Sequence, residues 1–322
     1  MKGILGYLFA ALVAATIVGA AGAQTYPSKA IRYVVPFAPG GGVDTVARVT
    51  GAKLNTAWGQ TVIVENRAGA NGILGAEFVA KSAPDGHTIL ICSNSQTYNA
   101  SLYSKLPFDS FKDFAPISYL ATATNLLIVH PSLPVRSVKE LIALARAKPD
   151  QLTFSSGGLG GGSHLAGELL KSIANIGIIH VPYKGIAPAV SELVGGHVTF
   201  SFAVVPAALP HVQTGRLRAI AVSSAERSSL VPDLPTVAES GLKGFDVFSW
   251  YGTFAPAGTP RSVIERLNSE FTKIVQMQDV KAKLASLGLE VKSGTTEEFA
   301  TFIKADFDVW DKIIRGIGIR VE

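Results

Sequence analysis

Two stretches of the chain bring together residue types that bind or attack small molecules. "VVPFAPGGGVDTVAR" (34–48) and "TFSSGGLGGGSHLAGELL" (153–170) each run from an apolar segment through glycines into a helical pattern. Glycine lets backbone N–H groups converge, and a helix N-terminus adds the positive end of its dipole, so such turns hold anions without a Lys or Arg. Neither run meets a nucleotide signature. Gly40 and Gly42 are followed by Thr45, and Gly158 and Gly160 by Ser163, where G-x-G-x-x-G needs a third glycine, and no Gly-Lys-Ser/Thr closes either run.

The second stretch also sets hydroxyls beside an imidazole: Ser155, Ser156, Ser163 and His164. A serine hydrolase using Ser163 and His164 is the rival reading to binding. Leu165 stands where the G-x-S-x-G elbow needs glycine, and adjacent residues at a helix start do not face each other as nucleophile and base. Ser163 reads better as a helix cap. The six histidines form no H-E-x-x-H, and His164 with Glu168 is a lone i, i+4 pair, so no metal or other cofactor is expected. Asp44, at the first helix start, reads as a complement to N–H groups. Binding without chemistry remains. Hydrogen bonds to a carboxylate contribute about 1.5–3 kcal/mol each and a helix terminus up to about 2 kcal/mol, so two such loops suffice for micromolar affinity, about 8 kcal/mol.

The elements that must position these turns alternate in type. Segments 31–37, 60–66, 87–92, 125–131, 152–156, 178–183, 198–202 and 217–223 read as strands; 43–57, 72–82, 137–147, 163–174 and 186–194 read as helices. This is an α/β pattern with parallel sheets, and the paired glycine turns favour two lobes over one broad sheet. The last 60 or so residues read as helices at 260–276, 279–287 and 295–315, the last opened by the Thr295-x-x-Glu298 capping signal. A terminal helical block needs a sheet to cover, so the chain is expected to leave its first lobe (24–122) for a second (123–223) and return (224–322).

"MKGILGYLFAALVAATIVGAAGA" (1–23) has Lys2, an apolar stretch and an Ala-x-Ala ending, the pattern of a secretory signal peptide cleaved after Ala23, which points to the periplasm. Cys92 is the only cysteine, so no intramolecular disulfide forms; it ends the apolar run "HTILIC" and reads as a buried small hydrophobe. The formal charge of +5 is spread singly, which is no nucleic-acid stripe.

"YPSKAIRYVVPFAPGGGVDTVAR", "VENRAGANGILGAEFVAKSAPDGHTIL", "HVPYKGIAPAVSELVGGHV", "LPHVQTGRLRAIAVSS" and "FAPAGTP" resemble, in order and spacing, the extracytoplasmic receptors of tripartite tricarboxylate transporters, the Bug family. The resemblance implies a two-lobed periplasmic binding protein of Venus-flytrap, type II-like form, each lobe a mostly parallel sheet flanked by helices. It further implies a monomer that is not an enzyme, closes on a small carboxylate and delivers it to membrane permease subunits; a periplasmic ligand-sensing protein that reports to a partner and has no transport role is the alternative. By match to the family's motifs, Phe37, Pro39, Gly40, Gly41, Ala70, Asn71, Ser93 and Ser95 of the first lobe would line the ligand, with Ser155, Gly158, Ser163, His164 and Tyr183 of the second. Lys184 and Arg67 are ambiguous, Arg67 fitting a structural ion pair. Many relatives carry an Asp where this chain has Ala203; that departure shifts the expected ligand towards acids without an ammonium group.

Overall fold

The computed structural model describes residues 26–320. The expected signal peptide, residues 1–23, lies outside them. The chain begins β1 (Ile31–Val35), α1 (Gly42–Trp58), β2 (Val62–Asn66), α2 (Ile73–Ala80), β3 (Thr88–Cys92), α3 (Ser95–Leu102). β1 lies between β2 and β3, parallel to both. Its two-residue period decides which helix covers which face. Ile31, Tyr33 and Val35 share a core with Val43, Val46 and Leu54 of α1, whereas Val34 packs with Ile73, Ala76 and Val79 of α2.

The second run is β4 (Phe114–Val129), α4 (Val138–Ala147), β5 (Thr153–Ser156), α5 (Gly162–Ala174), β6 (Ile179–Pro182), α6 (Ile186–Val194), β7 (Phe200–Val204), α7 (Val205–Gln213) and β8 (Arg218–Val222). β5 stands parallel between β6 and β7. Phe154, Phe200 and Phe202 pack there against Leu141 of α4 and Leu165, Leu169 and Leu170 of α5. The chain ends with β9 (Phe248–Pro256), α8 (Arg261–Gln276), α9 (Gln278–Ser286), β10 (Glu290–Val291) and α10 (Thr296–Ile317), the last opened by the Thr295/Glu298 capping box.

The strands form one hydrogen-bonded path, β2-β1-β3-β9-β4-β7-β5-β6, with β8 and β10 also on β4. Its two parallel groups follow from the alternation of strand and helix. Every antiparallel pairing involves β4 or β9. β4 is the join: Phe114–Thr124 runs beside β9, and from Asn125 to Val129 the partners are β7 and β8. Polar side chains mark the change of partner. Thr124 Oγ1 lies 2.8 Å from Ser224 Oγ, and Ser223 Oγ accepts from Asn125 N–H at 3.1 Å and donates to the Val247 carbonyl.

The terminal helix does more than the expected covering of the first lobe. Phe299 and Ile303, in the first half of α10, pack with Trp250 and Phe254, but Trp310 and Ile314 enter the core that holds Leu127 and Phe154. Tyr98 and Leu102 of α3 join that same core. Asp306 ties α10 down, accepting from Thr97 Oγ1 at 2.7 Å and Trp250 Nε1 at 3.0 Å. Beside it the Asn94 amide donates to Tyr98 Oη (2.8 Å) and the Phe248 carbonyl (3.1 Å) and accepts from Trp250 N–H (3.0 Å).

Candidate functional site

The two glycine turns have nearly the same backbone. Gly40 (φ +88°) and Gly160 (φ +73°) occupy the left-handed region that favours glycine. The N-caps that follow, Gly41 (φ −80°, ψ 173°) and Gly161 (φ −78°, ψ 163°), are extended, and neither has a side chain to cap its helix. The first-turn N–H groups of α1 and α5 are thereby left for an acceptor from outside the helix, the backbone geometry expected from the sequence.

Each turn is held from behind by the third residue of its helix. Asp44 Oδ2 accepts the Gly40 N–H at 2.9 Å and Arg48 Nε at 2.9 Å, while Oδ1 accepts from Asn66 Nδ2 at 2.8 Å. Burial pushes the Asp44 carboxyl up, but these bonds outweigh it and hold the group below the usual carboxylate range. In the second turn His164 Nδ1 accepts the Gly160 N–H at 3.0 Å, and Ser163 Oγ accepts the Gly157 N–H at 3.1 Å. Desolvation pushes His164 down to about 4, so the ring is neutral at neutral pH. It stacks on His180 at 4.0 Å between centroids, and His180 Nε2 lies 2.6 Å from Ser156 Oγ.

β9 supplies the floor between the turns. A methyl group added at Gly42 would overlap the Tyr251 hydroxyl, and one at Gly162 would lie 3.8 Å from Ser249 Oγ. Burial pushes the Tyr251 phenol up to about 12, eased by the Ser249 hydroxyl. The second turn also meets the first half of the molecule: a methyl at Gly160 would approach Leu102 Cδ1 to 2.7 Å and Asn71 Nδ2 to 3.3 Å. Asn71 (φ +51°) and Ala70 (φ +46°) form a left-handed turn there. Asn99 fixes it, accepting from Asn71 Nδ2 at 2.9 Å and donating to the Asn71 carbonyl at 3.0 Å.

The structure thus gathers Gly40, Gly41, Asn71, Ser163 and His164 around the two turns. Pro39 and Ala70 are exposed and Gly158 is half-buried in its turn, while Phe37, also half-buried, packs beside Gly72 and Ser93 follows β3 partly covered. Four expected contacts have their side chains bonded or packed within the protein. Ser95, the first residue of α3, is buried with Oγ 3.3 Å from Cys92 Sγ. Ser155 Oγ donates to the Ala189 carbonyl at 3.1 Å, and Tyr183 Oη donates to Glu192 Oε2 at 3.4 Å. Ala203 is fully buried in an apolar core with Leu126, Val190 and Val205; its methyl group fills that core, so the headgroup argument built on it fails. Arg67 forms the structural ion pair, 2.6 Å from Glu65, and lies over the Phe78 ring. Lys184 is exposed. Burial pushes the Cys92 thiol up to about 11, so little of it is thiolate at neutral pH.

Ser249, Tyr251 and Asn99 are the neighbours of the turns that sequence reasoning missed. The alternation of Ser249 and Tyr251 in "FSWYGTF" was the available signal, since a period of two puts both on one face of a strand. Among the described residues no group of three or more His, Cys, Asp or Glu could hold a metal ion, and no helix is long and apolar enough to cross a membrane.

Two α/β halves joined through β4, with matched glycine-capped helix starts on either side of β9, make this a two-lobed solute-binding protein. Solved structures agree: Rpa4515 of R. palustris with adipate gives a TM-score of 0.86 at 34% identity, over 92% of this chain and 99% of that one. MatC of Rhodopseudomonas palustris with bound malate gives 0.82 at 32% identity, over 90% and 100%. A protein from the tcbD-tcbE intergenic region of Pseudomonas sp. is 42% identical over 90% of this chain and 87% of its own length. BugT of Bordetella pertussis is 35% identical over 100% and 99%. The model of the tripartite tricarboxylate transporter family receptor matches residues 46–319. The chain belongs to this family of periplasmic solute-binding receptors.

Proposed function

We propose that this protein captures a small carboxylate between its two glycine turns in the periplasm, after cleavage behind Ala23, and delivers it to the membrane permease of a tripartite tricarboxylate transporter without transforming it. The observation that carries the reading is the matched pair of glycine-capped helix starts, one from each half, with Ser249 and Tyr251 between them. Neutral dipoles hold an anion and also release it, as a delivery protein must. The adipate and malate in the two R. palustris structures support the ligand class. A Ser163 hydrolase has less support, since the Ser163 hydroxyl accepts from Gly157 and the His164 Nδ1 from Gly160. The change of partners within β4 at Thr124 and Asn125 supports lobes of 24–122 with 224–322, and 123–223.

The reading is tested by thermal shift of the purified protein against adipate, malate, other di- and tricarboxylates, ATP and a chromogenic ester. A ligand at a hundred times its Kd adds about 2.7 kcal/mol of stability. Stabilisation by one or more acids, none by ATP, no ester turnover and loss of uptake of that acid in a deletion strain are expected. Ester turnover abolished by Ser163→Ala would overturn the reading.

A further inference from the structure

We propose that His164 is the positioning residue of the second glycine turn and works there as a neutral acceptor, the counterpart of the anionic Asp44 in the first. The binding arm of its test rests on the carboxylate reading above.

Both side chains reach back from the third residue of a helix to the N–H four residues earlier, at 2.9 Å and 3.0 Å, and each thereby fixes a left-handed glycine. The neighbour one turn further on differs in sign. Arg48 donates to Asp44 and keeps it ionised. The equivalent of Arg48 is Glu168, whose Oε1 lies 3.8 Å from His164 Nε2. Because Nδ1 accepts the Gly160 N–H it carries no proton, so the neutral ring holds its single proton on Nε2, on the side of Glu168. The other ionisable groups here are His180 of β6, stacked on the ring and joined to Ser156, and Lys171 of α5 beside Glu168. A carboxylate at position 164 would meet Glu168 where Asp44 meets Arg48. The solution used in the first turn is therefore closed to the second unless both residues change.

Three readouts test this on the full mature chain. Long-range nitrogen–proton NMR of the histidine rings should show His164 with its proton on Nε2; a proton on Nδ1 overturns the proposal. Exchange of the Gly160 amide should rise at least tenfold in His164→Ala and stay within threefold of wild type in His164→Asn, whose oxygen stands at the same bond distance from the backbone; equal exchange in wild type and His164→Ala overturns it. By calorimetry with adipate and malate, His164→Asp should bind at least tenfold more weakly than wild type, and His164→Asp combined with Glu168→Arg should recover to within threefold. Undiminished binding by His164→Asp would refute the need for neutrality. If neither acid nor any other carboxylate binds the wild type, it is the carboxylate reading that falls, and the tautomer and the Gly160 exchange still decide the role of His164.

Discussion

Replacing Asp306 with Asn should stabilise the protein at neutral pH. Burial raises this carboxyl from the ordinary 3.8 to about 6; the bonds from Thr97 and Trp250 pull it down, and Asp246 adds a smaller upward push. Below the unfolded value the group is protonated in both states and costs nothing. Above the folded value it is ionised in both, and the folded state carries the full penalty, two or so pH units at 1.36 kcal/mol each, about 3 kcal/mol. Stability from this group therefore falls as pH rises from about 4 to about 6. Asn keeps an oxygen for Trp250 Nε1 and Thr97 Oγ1 and has no charge to desolvate. The charged acceptor's stronger bonds and its partial exposure trim the gain to about 1–3 kcal/mol at pH 7. Urea titrations of both proteins at pH 4, 5, 6 and 7 isolate the effect, because the difference between them cancels the opposing slope of the buried histidines. The difference should be small at pH 4 and grow towards pH 7. An Asn variant less stable than wild type at pH 7, or a difference that does not change with pH, would show that the carboxylate's hydrogen bonds outweigh its burial.

Gly42→Ala, at the first helical position, overlaps the Tyr251 hydroxyl at a cost of about 1–3 kcal/mol, so a net loss is expected in chemical denaturation. In a Tyr251→Phe background that loss should shrink, though Cζ at 2.9 Å keeps it from vanishing. Ala203→Asp places an unpaired carboxylate in an apolar core and should cost at least about 3 kcal/mol in urea, with no new affinity for aspartate in calorimetry. Gly160→Ala forces a side chain into the left-handed region at φ +73° and against Leu102; it should weaken binding of whichever acid stabilises the wild type while leaving far-UV circular dichroism unchanged. His164→Asn should flatten the loss of stability as pH falls from about 6.5 towards 4, because the wild-type imidazole, depressed to about 4, binds its proton more readily unfolded.

Elements with regular apolar spacing were legible in the sequence. β1, β3, β5 and β8, and helices such as α1, α5 and α6, fall within a few residues of expectation because each has a buried stripe of its own, and the half-covered edge strands β2 and β6 were found from their β-branched runs. Two helices and two paired strand segments were not legible, for three separate reasons. α3, "SQTYNASL", shows only the pair Tyr98 and Leu102 as an apolar signal because the rest of what it buries is polar: Gln96, Thr97 and Asn99 are satisfied by partners distant in sequence. α7, "VPAALPHVQ", carries two prolines, Pro206 at its start and Pro210 inside. β9 and the first part of β4 mix aromatic, glycine and hydroxyl residues, and only their mutual pairing reveals them. The glycine turns were found from the sequence because glycine and helix starts announce a backbone shape. The side chains around them were not, because Ser155 and Ala203 face partners that only the fold brings near.

The position of β9 in the sheet also governs the timing of folding. It inserts between β3 and β4, so a chain made from its N-terminus leaves both of those strands with an open edge until residues 248–256 have emerged. The core around Leu127 and Phe154 waits longer still, for Trp310 and Ile314. Closing contacts of such sequence separation is slow, and it cannot begin before the far partner exists. During most of its synthesis the polypeptide therefore lacks the strand that joins β3 to β4 and completes the sheet.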